Sequence, residues 1–280
     1  MNRQLQSPQK KRSVWASLLE TSQLSTIVAV FWVFSGAIAT GLDLSLVQWL
    51  DWQTRTLYFR LRGPVSPPEE IVIVAIDDRS LSAAEKVSNA AAASSDPEVA
   101  RAAAQLQPIE SWPWQRAVYG VAVEQLLGAG AKAVALDLLF DLPSSHGEAD
   151  DLRLARALQE RASQVVLAST YLSSGGPEGA LLERFDPIEE LTQTGALLGL
   201  ANFPPLEPDT RVHRLGRAYR QQVLQPLGLE ALPSLAEATL EAARASYPPP
   251  KGEGIFFYGP GGTFTTIPFW HLLDSDWRAV

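Results

Sequence analysis

Four aspartates stand at two apolar runs. Asp77 and Asp78 close Ile71 to Ile76, IVIVAI, while Asp137 interrupts and Asp141 closes Ala133 to Phe140, AVALDLLF. Carboxylates gathered at strand ends could hold a hard divalent cation through oxygen ligands or receive a cationic molecule. In an open parallel sheet, ligands collect beyond the carboxyl ends of the strands, and a right-handed crossover can bring two such ends together. The competing reading is that these acids cap the turns that follow them or pair with Arg79 and Arg116. The corner Trp112-Pro113-Trp114 and Tyr119 could line the same pocket, or pack as rigid aromatics at a helix start. The candidate ligand-binding set is therefore Asp77, Asp78, Trp112, Arg116, Asp137 and Asp141.

Other chemistries find no residues to carry them. Gly259-Pro260-Gly261-Gly262-Thr263 lacks the lysine of a phosphate-binding loop, and its proline removes an amide donor, so it reads as a turn. His146, His213 and His271 are scattered without the spacing of a metal site. There is no Gly-x-Ser-x-Gly elbow, and Asp77-Asp78-Arg79 does not space its acids as an aspartyl phosphotransferase requires. The chain has no cysteine, which excludes disulfides, thiolate metal sites and cysteine nucleophiles. No catalytic residue, metal or cofactor is expected; a metal-dependent extracytoplasmic hydrolase is an alternative that rests on the acids alone.

The elements that position the acids are legible from periodicity. Apolar residues recur at helical spacing from Val118 to Leu126, and Gly128 and Gly130 then stop the helix. The run Ala133 to Phe140 reads as a strand buried on both faces of a parallel sheet, and Ile71 to Ile76 as the first strand of the same βαβ unit. Between them, the alanine- and serine-rich stretch from Ser82 to Gln107 reads as a partly helical insertion or a mobile loop, with Asp96-Pro97-Glu98 a possible helix start. Downstream, DDLRLARALQERA is an amphipathic helix with Asp150 and Asp151 at the favourable end of its dipole. Gln164 to Thr170 and Ala196 to Asn202 read as strands, Ile188 to Thr192 as a helix and Arg211 to Tyr219 as a more exposed strand. A helix over Pro233 to Ser246 and a last strand over Ile255 to Tyr258 complete an α/β fold with a mixed, largely parallel sheet flanked by helices.

The amino-terminal end has another character. Leu24 to Leu42 runs 19 residues without a charge, about enough for a helix to cross the roughly 30 Å hydrocarbon core of a bilayer. Lys10, Lys11 and Arg12 precede it, so residues 1–23 are expected in the cytoplasm, 24–42 in the membrane and the rest outside. A cleaved signal peptide ending near Ala37-Ile38-Ala39 and a buried core helix are the alternatives. Leu46, Trp49, Leu50, Gln53, Leu57 and Leu61 lie near one helical face, which makes 43–64 a stalk ending at Gly63-Pro64, ahead of a domain over 65–280. Of 23 basic and 31 acidic side chains, residues 1–42 carry four and one, leaving 19 and 30, a net of −11. Such a domain repels phosphate backbones, and nucleic acid is not an expected partner.

Taken in order, IVIVAIDDRSL, WPWQRAVYGVAVEQLLGAGAKAVALDLLFD, DDLRLARAL leading to VVLAS, GLANFPP with TRVHRL, and FFYGPGGTFTTIPFWHLL resemble the second type of CHASE domain. These are the cyclase- and histidine kinase-associated sensory extracellular domains. The resemblance covers roughly residues 65 to 275. It implies an extracytoplasmic sensor behind one transmembrane helix of the bacterial plasma membrane, facing the periplasm or cell exterior. In the family, further transmembrane helices usually lead to a cyclase or kinase output module. No second hydrophobic span precedes Val280, so any catalysis is expected in an output module outside this chain, and the alanine-rich stretch after Ser82 is longer than the family leads one to expect. The implied partners are the membrane, a small ligand or protein, and a second copy of the chain or a membrane complex. The alternative is a structural or assembly subunit docking in such a complex.

Overall fold

The computed structural model describes residues 25–37, 53–54, 57–93, 97, 100, 104, 106–176, 179–202, 219–230, 232–246 and 255–273. The chain divides into two compact units, Met1–Arg62 and Gly63–Val280.

In the first unit, residues 25–37 form helix α1 and residues 57–62 helix α2. Ile27, Phe31, Trp32, Val33 and Phe34 of α1 are 64–70% exposed. α1 occupies part of the span expected over 24–42, and residues 24 and 38–42 lie outside the described residues. Among the described residues no helix is long and apolar enough to cross a membrane.

The second unit is mixed α/β. Its elements are β1 (Val72–Ala75), α3 (Asp78–Ala93), α4 (Ala117–Gly128), β2 (Val134–Leu136), α5 (Glu148–Gln159), β3 (Val165–Gly176), β4 (Gly179–Phe185), α6 (Glu189–Thr192), β5 (Leu197–Leu200), α7 (Leu235–Ala242) and β6 (Thr265–Pro268). A 3-10 turn, Phe269–Leu273, follows β6.

β3 organises the larger sheet. Its first half runs parallel to β2, with Val134 opposite Val165 and Leu136 opposite Leu167, and parallel to β5, with Val166 opposite Leu197 and Ser169 opposite Leu200. Its second half turns into an antiparallel hairpin with β4, from Thr170 opposite Phe185 to Gly176 opposite Gly179. Side chains alternate across a strand, and β3 uses both faces. Val165 and Leu167 join Val123 of α4 and Leu154 and Leu158 of α5 in the main core, while Val166 packs on Ala238 and Ala242 of α7. All five residues from Val165 to Ser169 are at most 1% exposed, as a strand covered on both faces requires.

Close approach of backbones sets both helix layers. A Cβ on Gly199 of β5 would stand 2.6 Å from Leu235 Cα of α7, and one on Gly120 of α4 would stand 2.8 Å from Ala157 Cβ of α5. Ala117 meets Asp150 and Gly120 meets Leu154 and Ala157, so contacts advance in the same direction and α4 and α5 run parallel. Their amino ends are therefore neighbours.

Several expectations are corrected. β1 pairs with β6, in parallel from Val72 opposite Thr265 to Ala75 opposite Pro268, and not with β2. The run Ala133 to Phe140 is a strand only over Val134–Leu136; Asp137 and Leu139 are exposed. Beyond Leu136 the chain is held elsewhere, since the Phe140 carbonyl accepts from Ile188 N–H at 2.8 Å and Leu142 is bound by Arg116. Residues 255–258 are irregular, because Tyr258 O accepts from Val65 N–H at 2.7 Å, and the last strand forms later at Thr265. The partly helical reading of the stretch after β1 agrees with the structure, which is helical through Ala93 and at residues 97, 100, 104 and 106; residues 94–96, 98–99, 101–103 and 105 lie outside the described residues. Of the strand expected over Arg211 to Tyr219, residues 211–218 lie outside the described residues, and Tyr219 opens a helical turn.

Candidate functional site

The two neighbouring helix ends carry a buried polar cluster. Arg116 precedes α4 and has no side-chain cap of its own. The missing acceptor comes from α5: Asp150 takes Arg116 N–H on Oδ2 at 2.7 Å and Ala117 N–H on Oδ1 at 3.1 Å. A carboxylate at two exposed helix amides is favoured by both hydrogen bonding and the helix dipole. Ser144 Oγ donates to the same Asp150 Oδ2 at 2.7 Å, and Ser144 N–H donates to Asp151 Oδ2 at 3.0 Å. The Arg116 guanidinium closes the knot. It pairs with Asp151 through Nη1, donates to Leu142 O through Nη2, and lies 5.1 Å from the centre of the Phe140 ring.

Burial gives this cluster its strength. Asp150 and Asp151 are 2% and 3% exposed and Arg116 8%. Burial pushes the Asp150 carboxyl up, but the Ser144 hydroxyl, the Arg116 and Ala117 amides and the nearby His146 outweigh it and hold it below its ordinary range. Burial raises the neighbouring Tyr119 phenol to about 12, with Arg116 opposing and Asp150 reinforcing the shift. Tyr119 therefore stays protonated and is no base at neutral pH. Its ring packs against Trp114, Phe140 and Phe269 as the apolar floor of the knot.

The sequence-derived candidates fall into two groups. Arg116, Trp112, Asp137 and Asp141 belong to segments joined through the knot. Trp112 is exposed and meets Trp114 edge-on at 5.5 Å. His146, on the loop after β2, reaches Pro113 O through Nε2 at 2.8 Å, tying the Trp112–Trp114 corner to that loop. Asp137 is exposed and Asp141 half-buried on the same connection, with Leu142 exposed beside them. Asp77 and Asp78 sit apart at the start of α3. Asp77 accepts from Ser80 N–H and Ser80 Oγ, both at 2.8 Å, in the manner of an amino-terminal cap, and Asp78 is exposed in the first turn. Because β1 and β2 lie in different sheets, strand pairing does not bring Asp77 beside Asp137.

Asp150, Asp151 and Ser144 were not among the candidates. A signal was present: Asp150 lies four and eight residues before Leu154 and Leu158, on the apolar face of α5 rather than its wet side. Among the described residues no group of three or more histidines and acids could hold a metal ion. The arrangement ties the loop after β2 to the aromatic corner through His146, and that loop carries the exposed Asp137 and the half-buried Asp141.

A family model described as the CHASE2 domain matches residues 26–280. The chain belongs to the CHASE2 domain family. That agrees with the resemblance carried by the ordered blocks from IVIVAIDDRSL to FFYGPGGTFTTIPFWHLL. CHASE2 is a sensory extracellular domain family and not a catalytic one. Comparison with curated proteins and with solved structures found no match. In this CHASE2 domain, the block WPWQRAVYGVAVEQLLGAGAKAVALDLLFD supplies the aromatic corner, Arg116, all of α4 and all of β2.

Proposed function

We propose that this CHASE2 domain is the extracytoplasmic sensor of a bacterial signalling protein, anchored in the plasma membrane by residues 24–42. A small cationic ligand or a partner protein engages Trp112, Asp137 and Asp141, and the knot at Arg116 carries the event into α4 and α5. The stalk over 43–64 then passes it to the membrane. The single observation that carries the reading is the family match from residue 26 to residue 280. The exposed apolar side chains of α1 support the anchor, and the acids on the loop that His146 ties to the aromatic corner support a cationic ligand.

The test is a thermal-shift titration of the full chain in detergent with spermidine as the cationic probe. A ligand that binds only the folded state raises its stability by mass action. The expected result is a saturable rise in melting temperature that Asp137→Asn together with Asp141→Asn removes without lowering the unliganded value. A rise unchanged in that double variant would contradict the placement of the site.

The alternative, an assembly subunit docking in a membrane complex, is favoured by the apolar residues exposed on β1.

A further inference from the structure

Ile71 to Ile76 is six apolar residues long, and such a run belongs to a strand covered on both faces. The structure leaves its first half open, while Val74 and Ile76 pack against the main core. Ile71, Val72 and Ile73 are 51%, 47% and 44% exposed. Val72 and Ile73 are successive and point to opposite faces, so both faces of β1 are uncovered at this end. Among the described residues β1 pairs along one edge only, with β6, whose Thr265 and Thr266 are exposed as well. A two-stranded sheet of this length is marginal alone, and natural edge strands are usually blunted by a charge, a proline or a bulge. β1 has no charge or proline within it. Its charges stand at its ends, with Glu69 and Glu70 before it and Asp77 and Asp78 after, offset by Arg79 alone.

Those charges select the occupant. A second copy adding antiparallel would set Glu69 and Glu70 against the other copy's acids at the far end, and a parallel copy would align the same acids with each other. Either arrangement places like charges across the pairing. The geometry points to strand addition on the edge of β1 that no described strand pairs with, by an extended segment of a partner protein, apolar at its centre and basic at both ends. Main-chain hydrogen bonds would supply affinity, and the basic flanks its direction and selectivity. The inference goes beyond the sensor reading and does not depend on a ligand at the α4 knot.

The experiment is calorimetric titration of the full chain in lipid nanodiscs with synthetic probes. The first is a short peptide of alternating valine and threonine with paired lysines at each end. The second replaces the lysines with glutamates, and the third is the lysine peptide N-methylated at alternate residues. The lysine peptide is expected to saturate at one per chain, the glutamate peptide to bind roughly tenfold more weakly, and the N-methylated peptide not to bind. The triple variant Glu69→Lys, Glu70→Lys, Asp78→Lys changes only exposed positions, leaves the Asp77 cap intact, and is expected to invert the preference between lysine and glutamate flanks. Three results would overturn the inference: no binding of the lysine peptide, binding indifferent to N-methylation, or self-association of the chain that Ile73→Lys abolishes, which would assign the edge to a second copy.

Discussion

Arg116 and Asp151 form an ion pair that is almost wholly removed from solvent, and this decides how substitutions there should behave. Removing one partner strands a buried charge, which costs about 3–5 kcal/mol. Asp151→Leu and Arg116→Met should each show that loss in urea unfolding. The double change Arg116→Met with Asp151→Leu should cost clearly less than the two singles combined, because neither charge is then left alone. Asp150 adds a pH dependence. Its folded pKa lies below the ordinary value of 3.8, so its contribution is present above that value and is lost as pH falls through the folded one. Stability should hold above about pH 5 and decline in acid, and Asp150→Asn should lower the neutral plateau and flatten the decline. At this scale the sequence is half transparent. Arg116 could be singled out as a possible partner of the strand-end aspartates, although the acid it pairs with is Asp151. Asp150 and Asp151 read as dipole-favouring acids, because nothing local says that a second helix amino end will arrive beside them.

Helices and strands were more legible than their pairings. α4, β3 and α5 follow directly from apolar periodicity, and Gly130, at φ 100°, ends α4 as a glycine turn should. The β3–β4 hairpin was not anticipated, since its first strand continues the buried one without a break and only the glycine-proline cluster at 175–177 marks the turn. The pairing of β1 with β6 was hidden for another reason. Their partners are nearly two hundred residues apart in the chain, and an apolar run does not name its neighbour. The glycines at layer contacts give the sharpest predictions. Gly199→Ala would force a methyl against Leu235 backbone, which cannot yield as a side-chain end can, and should cost about 1–3 kcal/mol. Gly120→Ala presses on Ala157 and should fall in the same range. Ser234→Ala removes both hydroxyl bonds of the capping box with Glu237 and should cost about 1 kcal/mol. Thermal or denaturant unfolding of the full chain measures all three.

At the scale of the molecule, alternating strand and helix patterns carried the fold class and the ordered blocks carried the family, because order over two hundred residues is more specific than any one motif. The expected meeting of Asp77 and Asp137 was less secure, since it assumed one continuous sheet where the structure forms two. The proposed anchoring by residues 24–42 would place the CHASE2 domain beyond the plasma membrane, in the periplasm or at the cell exterior. The absence of cysteine makes one measurement direct: single cysteines are introduced at Lys10 and at exposed Glu183 and labelled in intact cells with a membrane-impermeant maleimide. Labelling of Glu183→Cys in intact cells, with Lys10→Cys labelled only after lysis, is the predicted result. Labelling of Lys10→Cys from outside, or protection of Glu183→Cys until lysis, would contradict it.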